Sequence, residues 1–171
     1  MKAKQPVVTG PDGCGGSELV RLSGVTLSSG ASLALNPPAV LRCELALAVA
    51  QWLREQVAAL LQAETGATLV FGGSGGSYEC RGKNRVKGAK LSEHGTGGAI
   101  DISGFHLSDG HSLLLTSAAE SKSLREQVRE SACRTFTTVL GPGSDGYHET
   151  HVHLDRRQRK ADYRICQWNI H

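Results

Sequence analysis

The chain has 171 residues, of which 39% are hydrophobic and 20% charged, a composition that supports one compact domain and excludes wholesale disorder. Its net charge is only +3 and aromatic residues make up 5%, which argues against nucleic acid as a partner. No apolar run approaches the roughly 20 residues of a membrane-spanning helix, so we expect a chain that is not embedded in a membrane.

The N-terminal half predicts an arm followed by a long helix. Residues 1–35 are rich in Gly and Ser and predict an irregular arm with one or two short strands, packed on a domain that spans residues 36–171. Asn36 and the two prolines after it indicate a helix start. Apolar residues then recur at helical spacing as far as Ala63, and Gly66 is the expected C-terminal cap.

The rest of the chain predicts short strands and one further helix. Gly72–Gly76 is expected to be a loop, and Ser123 with Glu126 forms a capping box that opens a helix ending near Phe136. The predicted strands are Ala67–Phe71, Ser77–Arg81, Gly98–Phe105, Ser112–Thr116, Thr137–Leu140 and His151–Leu154. Together these elements predict an α+β fold, in which a small antiparallel sheet packs against one long and one shorter helix.

The cysteines indicate the compartment. No two of them form a CxxC pair, and their wide spacing favours a disulfide framework, with at least one cysteine left over because the number is odd. The alternative is a set of buried, reduced cysteines in a cytosolic protein. The N-terminus has no signal peptide, so either the chain stays in the cytosol or it is a mature secreted form, which the cysteines favour. The five residues are Cys14, Cys43, Cys80, Cys133 and Cys166.

Six of the seven histidines lie between residues 94 and 153, in two informative patterns. In the first, a glycine-rich turn separates His94 from Asp101, which begins an apolar strand. In the second, His151 and His153 share one face of a predicted strand. One imidazole from each segment and the carboxylate of Asp101 would supply three ligands of a catalytic zinc site. The alternative is that these histidines are ordinary surface or hydrogen-bonded residues.

Several stretches of the chain resemble a known family. The order Ser-x-His-x-x-Gly-x-Ala-x-Asp followed by His-x-His is similar to the LAS metallopeptidases, a group named after lysostaphin, the D-Ala-D-Ala metallopeptidases and Hedgehog. Within that group the chain resembles the extensin-like C-terminal domain family most closely. The stretches that carry the resemblance are residues 77–81, 91–94, 99–105, 132–136, 139–143 and 151–155.

The resemblance implies a role for each matching residue of the site. His94, Asp101 and His153 match the three zinc ligands. His151 matches the residue that acts as general base or stabilises the transition state. His148 lies where related murein endopeptidases place a histidine that contacts the substrate or a ligand.

Three more residues are implied to surround this centre. Arg81 matches an arginine that polarises the scissile carbonyl or holds a substrate carboxylate. Ser92 is expected to support a zinc ligand or to hydrogen-bond the substrate. Glu149 is a rival to the histidine as general base, because some enzymes of the group use a glutamate near the last ligand.

The function implied by the resemblance is zinc-dependent hydrolysis of peptide bonds in peptidoglycan cross-links or stem peptides, by a periplasmic or secreted protein. The alternative is a non-catalytic zinc-containing domain of the same fold that binds the cell wall or another partner. The basic runs 81–90 and 156–160 are interpreted as solvated surfaces, or alternatively as attracting anionic polymer or stem-peptide carboxylates.

Overall fold

The computed structural model describes residues 2–4, 8–16, 18–86 and 88–171, and it has an α+β architecture. The strands are β1 (Lys2–Lys4), β2 (Val8–Thr9), β3 (Gly15–Gly16), β4 (Leu19–Thr26), β5 (Ser32–Arg42), β6 (Leu69–Gly76), β7 (Ala99–Leu107), β8 (Ser112–Leu114), β9 (Thr138–Leu140), β10 (Val152–Asp155) and β11 (Ile165–Gln167). The helices are α1 (Cys43–Trp52), α2 (Ala58–Thr65) and α3 (Lys122–Thr135).

Within the described residues, nine strands form one mixed sheet in the order β1-β4-β5-β6-β7-β10-β9-β11, with β8 paired to β7. The pairs β5–β6 and β9–β11 are parallel and the other pairs are antiparallel. The α+β class is therefore confirmed, whereas the prediction of a small antiparallel sheet is wrong. Short-range patterns predicted single strands but could not show that the N-terminal strands join the same sheet, because that pairing is tertiary.

The predicted helix start at Asn36 is wrong. Residues 35–38 of β5 lie opposite Ser23, where the pairing of β4 with β5 is irregular. The two prolines in this stretch therefore interrupt no regular hydrogen bond to β4. The predicted boundary between residues 35 and 36 thus falls inside β5, and the segment that was expected to be mainly irregular contains β4 and the start of β5. The helix begins at Cys43 instead.

The long helix is confirmed from Cys43 to Thr65. A π-helical turn, Leu53–Val57, joins α1 to α2, and Gly66 ends α2 with a φ of 72° and an N–H bond to the Gln62 carbonyl. The residues of its apolar face are buried against the sheet, as their helical spacing predicts. No helix in the described part of the chain is both long enough and apolar enough to cross a bilayer.

Trp52 is the centre of the core between α1, α3 and the sheet. It is 1% exposed, and its ring lies 5.5 Å from that of Phe136 and 6.5 Å from that of Phe105. Its Nε1 donates a hydrogen bond to Ser131 Oγ on α3, at 2.9 Å. This satisfied polar atom and these edge contacts fix the two helices against β7.

The shorter helix is confirmed, but its predicted cap is wrong. Ser121, not Ser123, is the N-cap, and its Oγ accepts the Leu124 N–H at 3.2 Å. Ser123 lies inside α3, where its Oγ accepts a hydrogen bond from Gln127. Ser121 and Ser123 both precede the apolar residues of the helix closely, so the sequence pattern alone could not show which of them is the N-cap.

The glycine-rich segment 72–76 is strand rather than loop, and the strand predicted over Ser77–Arg81 is irregular chain. Glycine is required in this strand because its neighbours approach closely. A Cβ on Gly73 would lie 2.9 Å from Ser103 Oγ, and one on Gly76 would lie 3.3 Å from Asp101 Oδ2. Tertiary crowding by β7 therefore overrides the turn propensity of these glycines.

Two disulfides confirm the predicted framework. Cys14 pairs with Cys80, and Cys133 pairs with Cys166, while Cys43 forms no disulfide. The first bond ties the N-terminal segment to the chain just before Arg81. The second ties α3 to β11. Two such bonds are compatible with an extracellular or secreted protein.

Candidate metal centre

Two neighbouring strands and one tight turn bring the predicted ligands together. Asp101 on β7 lies directly opposite His153 on β10 in the antiparallel ladder. His94 lies on a 3₁₀ turn, Glu93–Thr96, immediately before β7. Ser92 caps that turn, because its Oγ accepts the His94 N–H at 3.3 Å. Local turn geometry and strand register therefore place three side chains from two distant segments at one point.

The orientation of His94 fixes which of its nitrogens faces the cluster. Its Nδ1 lies 2.7 Å from the backbone carbonyl oxygen of Ser77. A carbonyl only accepts hydrogen bonds, so Nδ1 carries the proton and donates it. Nε2 therefore faces Asp101 and His153 and is the nitrogen of His94 that would bind a metal.

His153 is oriented the other way round from His94, because its Nδ1 rather than its Nε2 faces the cluster. Its Nε2 lies 3.2 Å from Asp155 Oδ2, which is on the same face of β10 two residues later. Its Nδ1 lies 3.1 Å from both Asp101 Oδ1 and His94 Nε2. A carboxylate that accepts from one ring nitrogen of a histidine orients the other nitrogen toward a metal.

The three inward atoms form a nearly equilateral triangle. His94 Nε2, His153 Nδ1 and Asp101 Oδ1 are separated by 3.1, 3.1 and 3.2 Å, and the three residues are buried. In a tetrahedral zinc site with bonds of about 2.0–2.1 Å, ligand atoms are about 3.3–3.4 Å apart. At such short separations the three atoms need positive charge among them, which a proton on His153 supplies in the metal-free chain and a metal ion would supply in its place. The geometry thus fits a metal ion held by two histidines and one aspartate.

The charges of the cluster are strongly coupled. Burial disfavours the charged form of Asp101, but hydrogen bonds to His153 and His94 outweigh it and hold the pKa of that carboxyl far below its usual range. Burial also opposes the charge of His153, yet hydrogen bonds to Asp101 and Asp155 raise its pKa to about 9. Burial opposes the charge of Asp155 as well, but hydrogen bonds from His153, Thr138 and the Arg157 N–H together with the charge of His153 lower its pKa. The cationic form of the His153 imidazole is therefore favoured between these two carboxylates, and a metal ion would have to displace its proton.

His151 lies beside the triangle without belonging to it. Its Nε2 is 3.7 Å from Asp101 Oδ2, and its side chain is 24% exposed toward an adjoining cavity. Burial lowers the pKa of His151, which the charge of Asp101 opposes only in part. A neutral imidazole next to a metal site and open to solvent is able to accept a proton.

His148 completes a second layer of imidazoles. Its ring centroid lies 5.2 Å from that of His151 and 5.4 Å from that of His153. Its Nδ1 donates to Asp145 Oδ1 at 2.7 Å. That carboxylate fixes the ring against the cluster. Burial opposes its charge, but hydrogen bonds from His148 and the Tyr147 N–H, together with the charge of His148, lower its pKa.

The chain matches the family model described as "Extensin-like protein C-terminus" over residues 1–167. This chain belongs to the extensin-like C-terminal domain family. The family that the sequence motifs resemble is thereby confirmed. Comparisons with curated proteins and with solved structures found no match.

Three further residues of this extensin-like domain were predicted to surround the centre, and their positions in the structure differ from one another. Arg81 lines the same cavity as His94 and His153, with its Nε donating to Glu79 Oε2 at 3.0 Å. Ser92 supports His94 through the turn that it caps. Glu149 is exposed, and its carboxylate accepts the Gly143 N–H at 3.0 Å, within its own loop.

Sequence reasoning missed the residues that orient the imidazoles of this extensin-like domain. Asp155 and Asp145 hold His153 and His148, and the backbone of Ser77 holds His94. Asp155 had a signal in the sequence, because it follows His153 by two residues on a predicted strand and so shares its face. The Ser77 carbonyl had none, since a backbone acceptor leaves no trace in residue type.

Proposed function

We propose that this extensin-like domain is a zinc-dependent peptidase of the LAS type, secreted or periplasmic, that hydrolyses peptide bonds in peptidoglycan. The observation that supports the proposal is the buried triangle of His94, Asp101 and His153 with the non-ligand His151 beside it. Two nitrogens and one carboxylate oxygen are a donor set that zinc accepts in catalytic sites, with a fourth position for water or substrate. A site that only held the fold together would have no use for a neutral imidazole at its solvent edge.

Zinc held by these residues would polarise a peptide carbonyl and lower the pKa of a water molecule toward neutrality. His151 would take a proton and return it to the leaving amine, a role supported by its position 3.7 Å from Asp101 and by burial, which lowers its pKa. Arg81 would offset negative charge that develops on the substrate, a role that its place in the lining of both cavities beside the cluster supports. Asp155 and Ser77 keep the ligand imidazoles in the tautomers that the metal requires.

The test is digestion of purified cross-linked muropeptides and linear stem peptides by the zinc-loaded protein, with products identified by mass spectrometry. We expect the wild type to cleave and His153→Ala to lose both zinc and activity. His151→Ala should keep one zinc per chain and lose activity by about 10²–10⁴-fold. His111→Ala is the matched control, because His111 is an exposed histidine paired with Glu120 away from the cluster.

The outcomes separate the two candidate functions. Stoichiometric zinc without cleavage of any muropeptide would favour a non-catalytic zinc domain that binds the cell wall or another partner. Full activity of His151→Ala would show that this histidine is not the base, and Glu149→Gln would then be assayed in the same way. A wild type without zinc affinity would remove the metal centre itself.

A further inference from the structure

Two cavities adjoin the metal cluster, and their chemistry differs. Arg81, Asn84 and His148 border both of them. The first, here called the basic cavity, also includes Lys83, Thr138, Leu140, Arg157 and Arg159. The second, here called the polar cavity, also includes Gly75, Ser103, Tyr147, Thr150 and His151. A substrate that reached both cavities would therefore meet four arginine or lysine side chains in the first, but in the second only Arg81 and Arg85, beside Asp101.

Arg159 carries a fixed charge without a counter-ion. Its Nη2 donates to Thr138 Oγ1 at 2.7 Å, and its Nη1 lies 3.4 Å from the carbonyl oxygens of Thr137 and Arg157. All three acceptors are neutral, and among the residues that the structure describes no carboxylate lies within 4 Å of this guanidinium. The side chain is only partly exposed. Holding an unpaired cation in place at the wall of a cavity costs free energy that an anionic ligand would recover.

The carboxylates of the basic cavity do not neutralise this charge, because each is engaged elsewhere. Glu93 pairs with Arg157 at 3.3 Å, Asp145 with His148, and Asp155 with His153. Lys83 adds an exposed ammonium for which the described residues provide no acidic partner. In the polar cavity, by contrast, both arginines have an acidic partner, because Arg85 donates to both oxygens of Glu79 and Arg81 donates to one of them.

We propose that Arg159, assisted by Lys83, binds a carboxylate of the substrate, so that an acidic peptide enters with its carboxylate in the basic cavity and its uncharged part in the polar cavity. The proposal rests on the proposed peptidase function and adds the substrate class and its direction of binding. Three acceptors leave donors of the five-donor guanidinium free, and its planar fork suits a carboxylate. In a stem peptide the carboxylate is either the C-terminal one or that of an acidic side chain, and both share this chemistry.

The test compares stem peptides that differ only in charge. One set carries the free C-terminal carboxylate or its amide, and a second carries free or amidated side-chain carboxylates. For the zinc-loaded wild type we expect kcat/KM to be about 10–100-fold higher for the acid than for the amide at the recognised position. Arg159→Gln should abolish this preference, mainly by raising KM for the acid, and Arg159→Lys should restore part of it. Arg156→Gln, an exposed neighbour in the same basic run, should keep the preference.

Equilibrium binding of the same peptides to zinc-loaded His151→Ala gives a readout that does not need turnover. Tighter binding of the acid, lost in His151→Ala/Arg159→Gln, supports the proposal even if no bond is cut, and the peptidase function alone would then fail. Equal binding of acid and amide by His151→Ala overturns the proposal. It is overturned as well if Arg159→Gln lowers zinc affinity and weakens both peptides equally, because Arg159 would then only position Thr138 and Asp155.

Discussion

Replacing Asp155 by asparagine tests whether His153 binds metal through Nδ1. Asp155 is 3% exposed and its carboxylate accepts from His153 Nε2 at 3.2 Å, so it holds a proton on Nε2 and leaves Nδ1 as the nitrogen that a metal would bind. Asparagine has the same shape but no charge, and its amide N–H₂ can donate to Nε2. That hydrogen bond would favour the tautomer protonated on Nδ1, which cannot bind a metal.

The expected size of the effect follows from this geometry. Removal of a carboxylate behind a metal-bound histidine typically lowers metal affinity by about 10–100-fold, which corresponds to about 1.4–2.7 kcal/mol. Because Asp155 is nearly inaccessible to water, solvent screening does little to reduce the loss. We therefore expect the zinc Kd of Asp155→Asn to rise within that range. Competition with a chromophoric chelator at fixed pH measures it.

Asp145→Asn is the matched control. Asp145 also accepts a hydrogen bond from a histidine, at 2.7 Å, but that histidine is His148, which lies outside the triangle. Its zinc Kd should stay within about twofold of the wild type. Unchanged affinity in Asp155→Asn, with thermal unfolding showing a folded protein, would refute the assignment of Nδ1. An equal loss in both variants would show a general electrostatic effect instead.

Three further predictions concern protons, cross-links and the turn. Zinc binding at pH 7.5 should release at least one proton, because the pKa of His153 is raised to about 9 and the metal would displace the proton on its Nδ1. Binding enthalpies measured by calorimetry should therefore differ between buffers of different ionisation enthalpy. Zinc affinity should also rise with pH up to about 9. Cys14→Ser/Cys80→Ser should lower the free energy of unfolding by about 4 kcal/mol in urea titrations, because the bond closes a loop of 66 residues. Gly97→Ala should cost at least about 1–2 kcal/mol in the same assay, since φ is 67° there and a Cβ would lie 2.5 Å from Leu19 Cδ2. An enthalpy independent of buffer, or variants as stable as the wild type, would contradict these expectations.

The sequence predicts the elements around the site better than those at the N-terminus. Helical spacing located the buried face of the long helix, and an apolar run located β7, because both depend on which residues avoid water. It failed at Asn36 and at Gly72–Gly76, where neighbouring strands decide the conformation. The prolines fit where the β4–β5 ladder is irregular, and the glycines fit where β7 approaches β6 closely. Such causes are tertiary and leave no periodic signal.

For the site, the spacing of histidines and aspartate along the chain indicated which residue types form it, but not which nitrogen of each imidazole faces the cluster. The His-x-His pair and the turn before Asp101 indicated a cluster, which the structure contains. The distinction between the cluster member His153 and its neighbour His151 came from the family resemblance. The structure adds the physical reason, since Asp155 follows His153 on the same face and its carboxylate turns Nδ1 inward.

The electrostatics that would hold the metal are separable from those that would hold the substrate. With neutral His94 and His153, the two carboxylates of Asp101 and Asp155 balance the charge of a divalent cation, so the filled centre contributes little net charge to the cavities beside it. The positive charge of the basic cavity then comes from Arg159 and Lys83, neither of which touches the triangle. Substitutions in the two sets should therefore act independently, with zinc affinity following Asp155 and discrimination between acid and amide following Arg159.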